Sequence, residues 1–237
     1  MSDVFHFKQF QVAQQGAAMK VGTDSVLLGA WAPLPESPGQ LLDVGSGNGL
    51  LGLMLAQRCP SGDIEAVEVD PGAYVCCVEN FEASPWADRL FCYHCSWEEF
   101  VAESAGPYDM IISNPPFHPE QVSSHEPARE RARREASLPF NSLLEGVDRL
   151  LAEQGLFSVV VPFASEADFT KLAAALGLYP QKVLRVRGRA GAPVKRSLMA
   201  FGRTQVRHTP GELVIEEARH RYTDDYKNLT RDFYLKM

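Results

Sequence analysis

Leu41-Leu42-Asp43-Val44-Gly45-Ser46-Gly47-Asn48-Gly49 decides how the rest of the chain is read. An apolar run of strand length delivers the backbone into three alternate glycines, and a segment of helical period, Leu50 to Arg58, follows. With no Cβ in the way the chain can turn sharply there, and a ligand can lie against bare peptide. Glu68, at the end of the next apolar run, stands where a carboxylate accepts hydrogen bonds from ribose hydroxyls. Position 50 is Leu, so the dinucleotide spacing G-x-G-x-x-G is broken and the pattern is G-x-G-x-G led by Asp43. Strand, glycines, helix, Asp43 and Glu68 together point to a nucleoside-bearing ligand, and Leu50 disfavours a nicotinamide dehydrogenase.

The alternation continues outward from this unit. Strand-like runs at Gln40 to Val44, Asp63 to Val69, Leu90 to Cys95, Tyr108 to Ser113, Gly155 to Val161 and Gln181 to Val186 are separated by longer segments. Of these, Leu50 to Arg58, Gly72 to Ala83, Phe140 to Leu151 and Glu166 to Leu176 carry apolar residues at i, i+3, i+4 and i+7. This is the rhythm of an α/β fold, a mostly parallel sheet covered on both faces. Asp70-Pro71 marks a helix start, and the proline-rich stretch from Pro33 to Gly39 sets an N-terminal arm, residues 1–32, apart from the core, 40–204. A C-terminal extension, 205–237, offers a short strand at Glu212 to Ile215 and helical period from Asp224 to Leu235. The whole, 1–237, is read as one domain. His118 to Leu138 breaks the rhythm and is dense in charge, which suits either a solvated loop or a substrate flap.

At the end of the fourth strand stands Ser113-Asn114-Pro115-Pro116-Phe117. Consecutive prolines forbid helix and fix φ twice, so the Asn114 amide and the neighbouring carbonyls are held in one geometry. That geometry suits gripping the N–H groups of an exocyclic amino nitrogen, whose lone pair is delocalised into its ring. If the Asn114 side-chain oxygen and the Pro115 carbonyl each accept one N–H, the nitrogen is pulled toward tetrahedral geometry and its lone pair is aimed. Phe117 would stack on the base, a contact worth roughly 1–3 kcal/mol.

Composition bounds these readings. With 237 residues, 45% apolar and 22% charged, the chain has enough material for one sizeable core and is not of disordered type. No apolar run is long enough to span a membrane and the start of the chain lacks a secretory pattern. The five cysteines, odd in number, are expected to be reduced thiols of a cytoplasmic protein. Cys92 and Cys95 have a metal-site spacing, but no second pair follows, and packing in a strand is the plainer role; no metal is called for. The net charge of −7 would not attract a polyanion by its overall field. Yet Lys182, Arg185, Arg187, Arg189, Lys195, Arg196, Arg203 and Arg207 form a stretch without Asp or Glu, which tilts toward polyanion contact.

The glycine pattern resembles motif I of class I methyltransferases, whose ligand is S-adenosylmethionine. The resemblance implies a Rossmann-like sheet of seven strands with an antiparallel last strand, Asp43, Gly45, Gly47 and Gly49 along the methionine portion, and Glu68 on the ribose. After the third strand many members place an acidic residue against the adenine; here Ser96 stands there. Asn-Pro-Pro-Phe/Tyr is likewise the motif of amino-methyltransferases acting on adenine, guanine or protein glutamine amide. Phe7 to Val12, Met19 to Trp31, Tyr222 to Tyr226 and Leu229 to Leu235 resemble the bacterial valine-tRNA adenine N6-methyltransferases over nearly the whole chain. That likeness implies tRNA as partner, methylation at N6 of the adenine next to the anticodon (position 37), and Thr23 and Asp24 near the methionine end. From the residues alone, Thr23-Asp24 suits a helix N-cap equally well, and the alternating Phe5, Phe7 and Phe10 suit a strand or a base-stacking lip. Lys195 and Arg196 are the expected phosphate contacts, and a monomer is favoured. Two alternatives stay open: a protein glutamine N5-methyltransferase, and an inactive methyltransferase fold kept as an RNA-binding module.

Overall fold

The computed structural model describes residues 4–16, 20–116 and 138–236. A hairpin of β1 (Val4–His6) and β2 (Gln11–Ala13) precedes α1 (Thr23–Trp31). Then come β3 (Gln40–Val44), α2 (Leu50–Arg58), β4 (Asp63–Glu68), α3 (Pro71–Glu82), β5 (Leu90–His94), α4 (Trp97–Glu103) and β6 (Tyr108–Ser113). The second half holds α5 (Phe140–Leu150), β7 (Leu151–Pro162), α6 (Glu166–Ala175), β8 (Tyr179–Arg189), β9 (Arg196–Gly202), β10 (Gly211–Ala218), β11 (Arg221–Tyr222) and α7 (Asp224–Thr230).

Strands β3 to β11 form one sheet of nine in the order β11-β10-β8-β9-β7-β6-β3-β4-β5. The seven expected strands are its body, and β9 is the antiparallel one, paired that way with both β7 and β8. Beyond them the C-terminal extension lengthens the sheet: β10 runs parallel to β8, and β11 turns back on β10.

Alternation along β3 shows how the two faces are filled. Leu41 joins the core beneath α1, α2 and α3, whereas Leu42 and Val44 join the core beneath α4, α5 and α6. In α5 the buried residues Leu143, Leu144, Val147 and Leu150 make one helical stripe. Asp70 caps α3 by accepting from the Ala73 N–H at 2.8 Å, with Pro71 in the first turn, as the sequence implied.

The arm is sewn onto the core. Phe7 and Phe10 stack with centroids 4.6 Å apart and are buried, Phe7 also stacking on Tyr234 at 5.9 Å. Of these aromatics only Phe5 lies in a strand, β1, while Phe7 makes an isolated bridge to Tyr234 and Phe10 stands between β1 and β2; being buried, Phe7 and Phe10 are not a lip for bases. At the other end, the helical period from Asp224 to Leu235 overreaches. Helix α7 stops at Thr230 because Phe233 turns inward to bury and Tyr234 bridges to Phe7. Among the described residues no helix is long and apolar enough to cross a membrane.

Candidate functional site

In an open α/β sheet the natural ligand crevice lies at the carboxyl ends of the strands, where the strand order reverses. Here that point falls between β3 and β6, whose last residues Val44 and Ser113 are paired, the Ser113 hydroxyl donating to the Val44 carbonyl at 2.9 Å. The glycine loop leaves β3 and the Asn114 loop leaves β6, so the two are neighbours by register. The first turn of α1 closes the third side. Together they enclose a cavity of about 350 Å³ that Lys20, Thr23, Asp24, Ser25, Gly45, Ser46, Gly47, Asn48 and Asn114 help to line.

Gly45 and Gly47 have φ of 68° and 58°, and no atom lies within 4 Å of where a Cβ would stand at either. Backbone conformation, not crowding, demands glycine at both, and their peptides are left bare toward the cavity. Gly49, at φ 77°, has the opposite reason as well: its Cβ would lie 2.7 Å from the Phe81 ring and 2.9 Å from the Cys77 sulfur. It packs loop to α3 and does not line the cavity.

Glu68 is buried and holds the loop, one carboxylate oxygen accepting from the Gly47 N–H and the other from the Asp70 N–H, each at 2.8 Å. Each oxygen keeps a further lone pair. Asp43 is fully buried at the end of β3, and one of its oxygens accepts from the Gly52 N–H at 3.0 Å while the other has no partner. Burial pushes its carboxyl up to about 7, against the Gly52 hydrogen bond and with the negative charge of Glu68. Ser96 is spent differently from the expectation. Its hydroxyl caps α4, accepting from the Glu99 N–H at 3.2 Å and donating to the Glu99 carboxylate at 2.9 Å, and it is not among the residues lining the cavity.

Thr23 lines the cavity as the first residue of α1. The N-cap is Gly22, which offers no side-chain acceptor, so Thr23-Asp24 does not cap this helix. Asn114 donates from its side-chain nitrogen to the Ser25 hydroxyl at 2.8 Å, and its side-chain oxygen is buried without a partner. Pro115 is buried directly after it. Asn114 thus helps to line the cavity and carries one buried acceptor whose hydrogen-bonding capacity is unspent. Phe117, and residues 118–137 of the expected loop or flap, lie outside the described residues.

Arg196 opens β9, which runs against β7, and Lys195 directly precedes it, so both stand at the same end of the sheet as the cavity. Lys195 is exposed. Arg196 is bound to Asp24 at 2.7 Å across the cavity rim. The basic stretch around them is not the unbalanced surface its sequence suggested: Arg185 pairs with Glu166, Arg187 with Glu212, Arg189 with Glu216 and Arg203 with Asp148. Lys182 lies over the Trp31 ring at 5.1 Å. Folding brings acidic partners from α5, α6 and β10, and the charge is largely neutralised.

Sequence reasoning did not find Asn80 or Ser25. Buried Asn80 donates to the Asn48 carbonyl at 2.9 Å and to the Ala13 carbonyl at 3.0 Å while accepting from the Ala13 N–H at 2.8 Å, so it ties glycine loop, α3 and arm together. A polar residue on the otherwise apolar inward stripe of α3 was the available signal. A second groove of about 550 Å³ lies where β3 and β6 begin, lined by Glu65, Tyr93, Phe100 and Tyr108 among others. Though larger, it is the weaker candidate. The Tyr93 and Tyr108 hydroxyls already satisfy the Glu65 carboxylate, and no unpartnered buried polar atom of the described residues lines it.

The family described as Methyltransferase small domain matches residues 19–138. A Flavobacterium johnsoniae protein named tRNA1(Val) (adenine(37)-N6)-methyltransferase is 50% identical over 235 residues, covering 99% of this chain and 100% of that one. Proteins of the same name from Bacteroides fragilis and Pectobacterium carotovorum are each 43% identical, covering 98% and 99% of this chain and 98% and 95% of their own. Among solved structures, a "predicted O-methyltransferase" from Agrobacterium tumefaciens aligns with a TM-score of 0.65 at 17% identity, covering 89% of this chain and 96% of that one. The ribosomal protein L11 methylase of Lactobacillus delbrueckii aligns at 0.59 and 14%, covering 85% and 100%. At such identities these two speak for the fold.

Proposed function

The chain belongs to the methyltransferase small domain family and, within it, to the tRNA1(Val) (adenine(37)-N6)-methyltransferases, and from that premise we infer that it methylates N6 of adenine 37 in a valine tRNA. The observation that carries the reading to this chain's own site is the Asn114 side-chain oxygen, buried, unpartnered and held beside the cavity.

S-adenosylmethionine is the methyl donor this reading requires, and the residues present fit it. Gly45 and Gly47 leave room beside the backbone where a Cβ would stand, and the orphaned buried atoms on Asp43 and Asn48 are of the kind a ligand completes. Thr23, Asp43, Gly45 and Gly47 would hold its methionine portion and Glu68 the ribose, with Gly49 setting the loop and Asn114 facing the transferred group. Ser96 would contribute through the helix start it caps. When bound, the group supplies a methyl carried on a positively charged sulfur.

The protein's part is positioning and electrostatics. Asn114 Oδ1 and the Pro115 carbonyl each accept an N–H of the target amino group, which draws the lone pair out of conjugation. As positive charge grows on that nitrogen the same two dipoles stabilise it, without having to reorganise. Phe117, next along the chain, would stack on the base. Adenine in a tRNA loop is unpaired, so exposing it costs only stacking, a few kcal/mol. Lys195, exposed at the same end of the sheet, would contact phosphate; Arg196 would do so only alongside its bond to Asp24.

Two transcripts of valine tRNA, identical except for adenine or guanine at position 37, test the substrate directly. Labelled methyl should enter the first as N6-methyladenosine and not the second. Equal labelling of both, or label appearing in a release-factor glutamine instead, would overturn the assignment.

A further inference from the structure

Asn114 can accept an N–H from the target only if its carboxamide is turned the right way. The terminal torsion of Asn is broad and roughly two-fold, so the oxygen and the nitrogen can exchange places with little steric difference. Turned over, the side chain would present two N–H donors to an amino group that is itself a donor. A partner outside the Asn-Pro-Pro motif must hold the side chain in place.

The motif itself disposes of one competitor. Asn side chains commonly bend back to accept the backbone N–H two residues on. Here that residue is Pro116, and Pro115 intervenes, so neither has an N–H to offer. The Asn114 oxygen is therefore left without a local partner, as found. What anchors the other end comes from far away in the chain. The Ser25 hydroxyl, in the first turn of α1, takes the Asn114 Nδ2 hydrogen at 2.8 Å.

Ser25 is well placed to be a fixed reference. Its neighbour Asp24 is bound to Arg196 at the head of β9 at 2.7 Å, and Val26, Leu27 and Leu28 are buried in the core. Thus α1 is held at its start by an ion pair and along its length by packing.

We propose that Ser25 is a positioning residue for the reaction: by taking a hydrogen of Asn114 Nδ2 it holds the carboxamide in the place from which Oδ1 meets the methyl acceptor. This rests on the methyl-transfer reading of the site. Ser25 itself does not touch the reacting atoms. Its removal leaves an acceptor in place that is correctly oriented for only part of the time.

The test is single-turnover methyl transfer to tRNA by the full chain and its Ser25→Ala and Ser25→Thr variants, with S-adenosylmethionine and tRNA affinities measured in parallel by calorimetry and filter binding. Ser25→Ala should lower the chemical step on the order of 10- to 100-fold while both affinities stay within about threefold, a smaller change than the roughly tenfold set by 1.4 kcal/mol. Ser25→Thr, which keeps the hydroxyl, should recover most of the rate. Three results would overturn the proposal: an unchanged rate for Ser25→Ala, a Thr variant as slow as Ala, or a rate loss matched by loss of cofactor binding. A wild type that binds cofactor but labels no RNA overturns instead the reading on which the proposal rests, and the proposal with it.

Discussion

Asp43 is the residue whose chemistry differs most from its ordinary behaviour. Its carboxyl is raised by burial from 3.8 to about 7, so the folded protein without ligand favours the neutral form below that pH. A carboxyl raised on folding contributes most to stability below its unfolded value and loses that contribution as pH climbs through the folded one. Wild type should therefore lose stability relative to Asp43→Asn between pH 4 and pH 8, a trend that paired urea melts would show and that parallel curves would refute. A cationic ligand reverses the sense, because it favours the ionised carboxylate: S-adenosylmethionine affinity should rise with pH up to about 7 in wild type and stay flat in Asp43→Asn. Asp43, Glu68 and Asn114 were legible as candidate site residues because each stands at or beside the carboxyl end of a strand at a recognisable spacing. What the spacing could not carry is how their atoms are spent. Glu68 grips its own loop, and Ser96 gives its hydroxyl to a helix cap whose signal in the sequence is Glu99 three residues on.

At the scale of elements, the glycine loop is a joint between β3 and α2 that α3 presses from behind. Gly49→Ala places a methyl against Phe81 and Cys77 in a left-handed conformation, so we expect a loss of about 2–4 kcal/mol in chemical unfolding. Gly47→Ala meets open space and should lose only the conformational part, about 1–2 kcal/mol, but it puts a methyl where the proposed ligand would lie and should weaken cofactor binding more than Gly49→Ala does. Equal destabilisation by the two would contradict the packing role of Gly49. The strands and helices of the body were readable because period 2 and period 3.6 are local properties. Helix α4 and the end of α7 were not. The first is short and begins at a cap, and the second is decided by where Phe233 and Tyr234 find partners, on an arm more than 200 residues earlier in the chain.

Across the whole molecule the same lesson applies to charge. A run of arginines without acidic neighbours in sequence becomes, once folded, a set of ion pairs reaching to α1, α5, α6 and β10. Arg185→Ala should accordingly act on the fold, costing about 1–3 kcal/mol by stranding Glu166, with little effect on RNA affinity. Lys195→Ala should leave the melting temperature alone and flatten the dependence of log affinity on log salt by about 0.7–0.9. Exchanged phenotypes would mean that RNA crosses a different face. Net charge and composition spoke to the chain as a whole, whereas the distribution of charge required the topology. The central claim is that the cavity between α1, the glycine loop and the Asn114 loop is where an adenine amino group is methylated. Its most direct test is transfer of labelled methyl from S-adenosylmethionine to unmodified bulk tRNA by wild type and Asn114→Ala, followed by nucleoside analysis and a cofactor-binding control. N6-methyladenosine should form with wild type and fall roughly 10²–10³-fold in the variant, with cofactor binding preserved. Full activity in Asn114→Ala, or a wild type that labels no adenine, would contradict it.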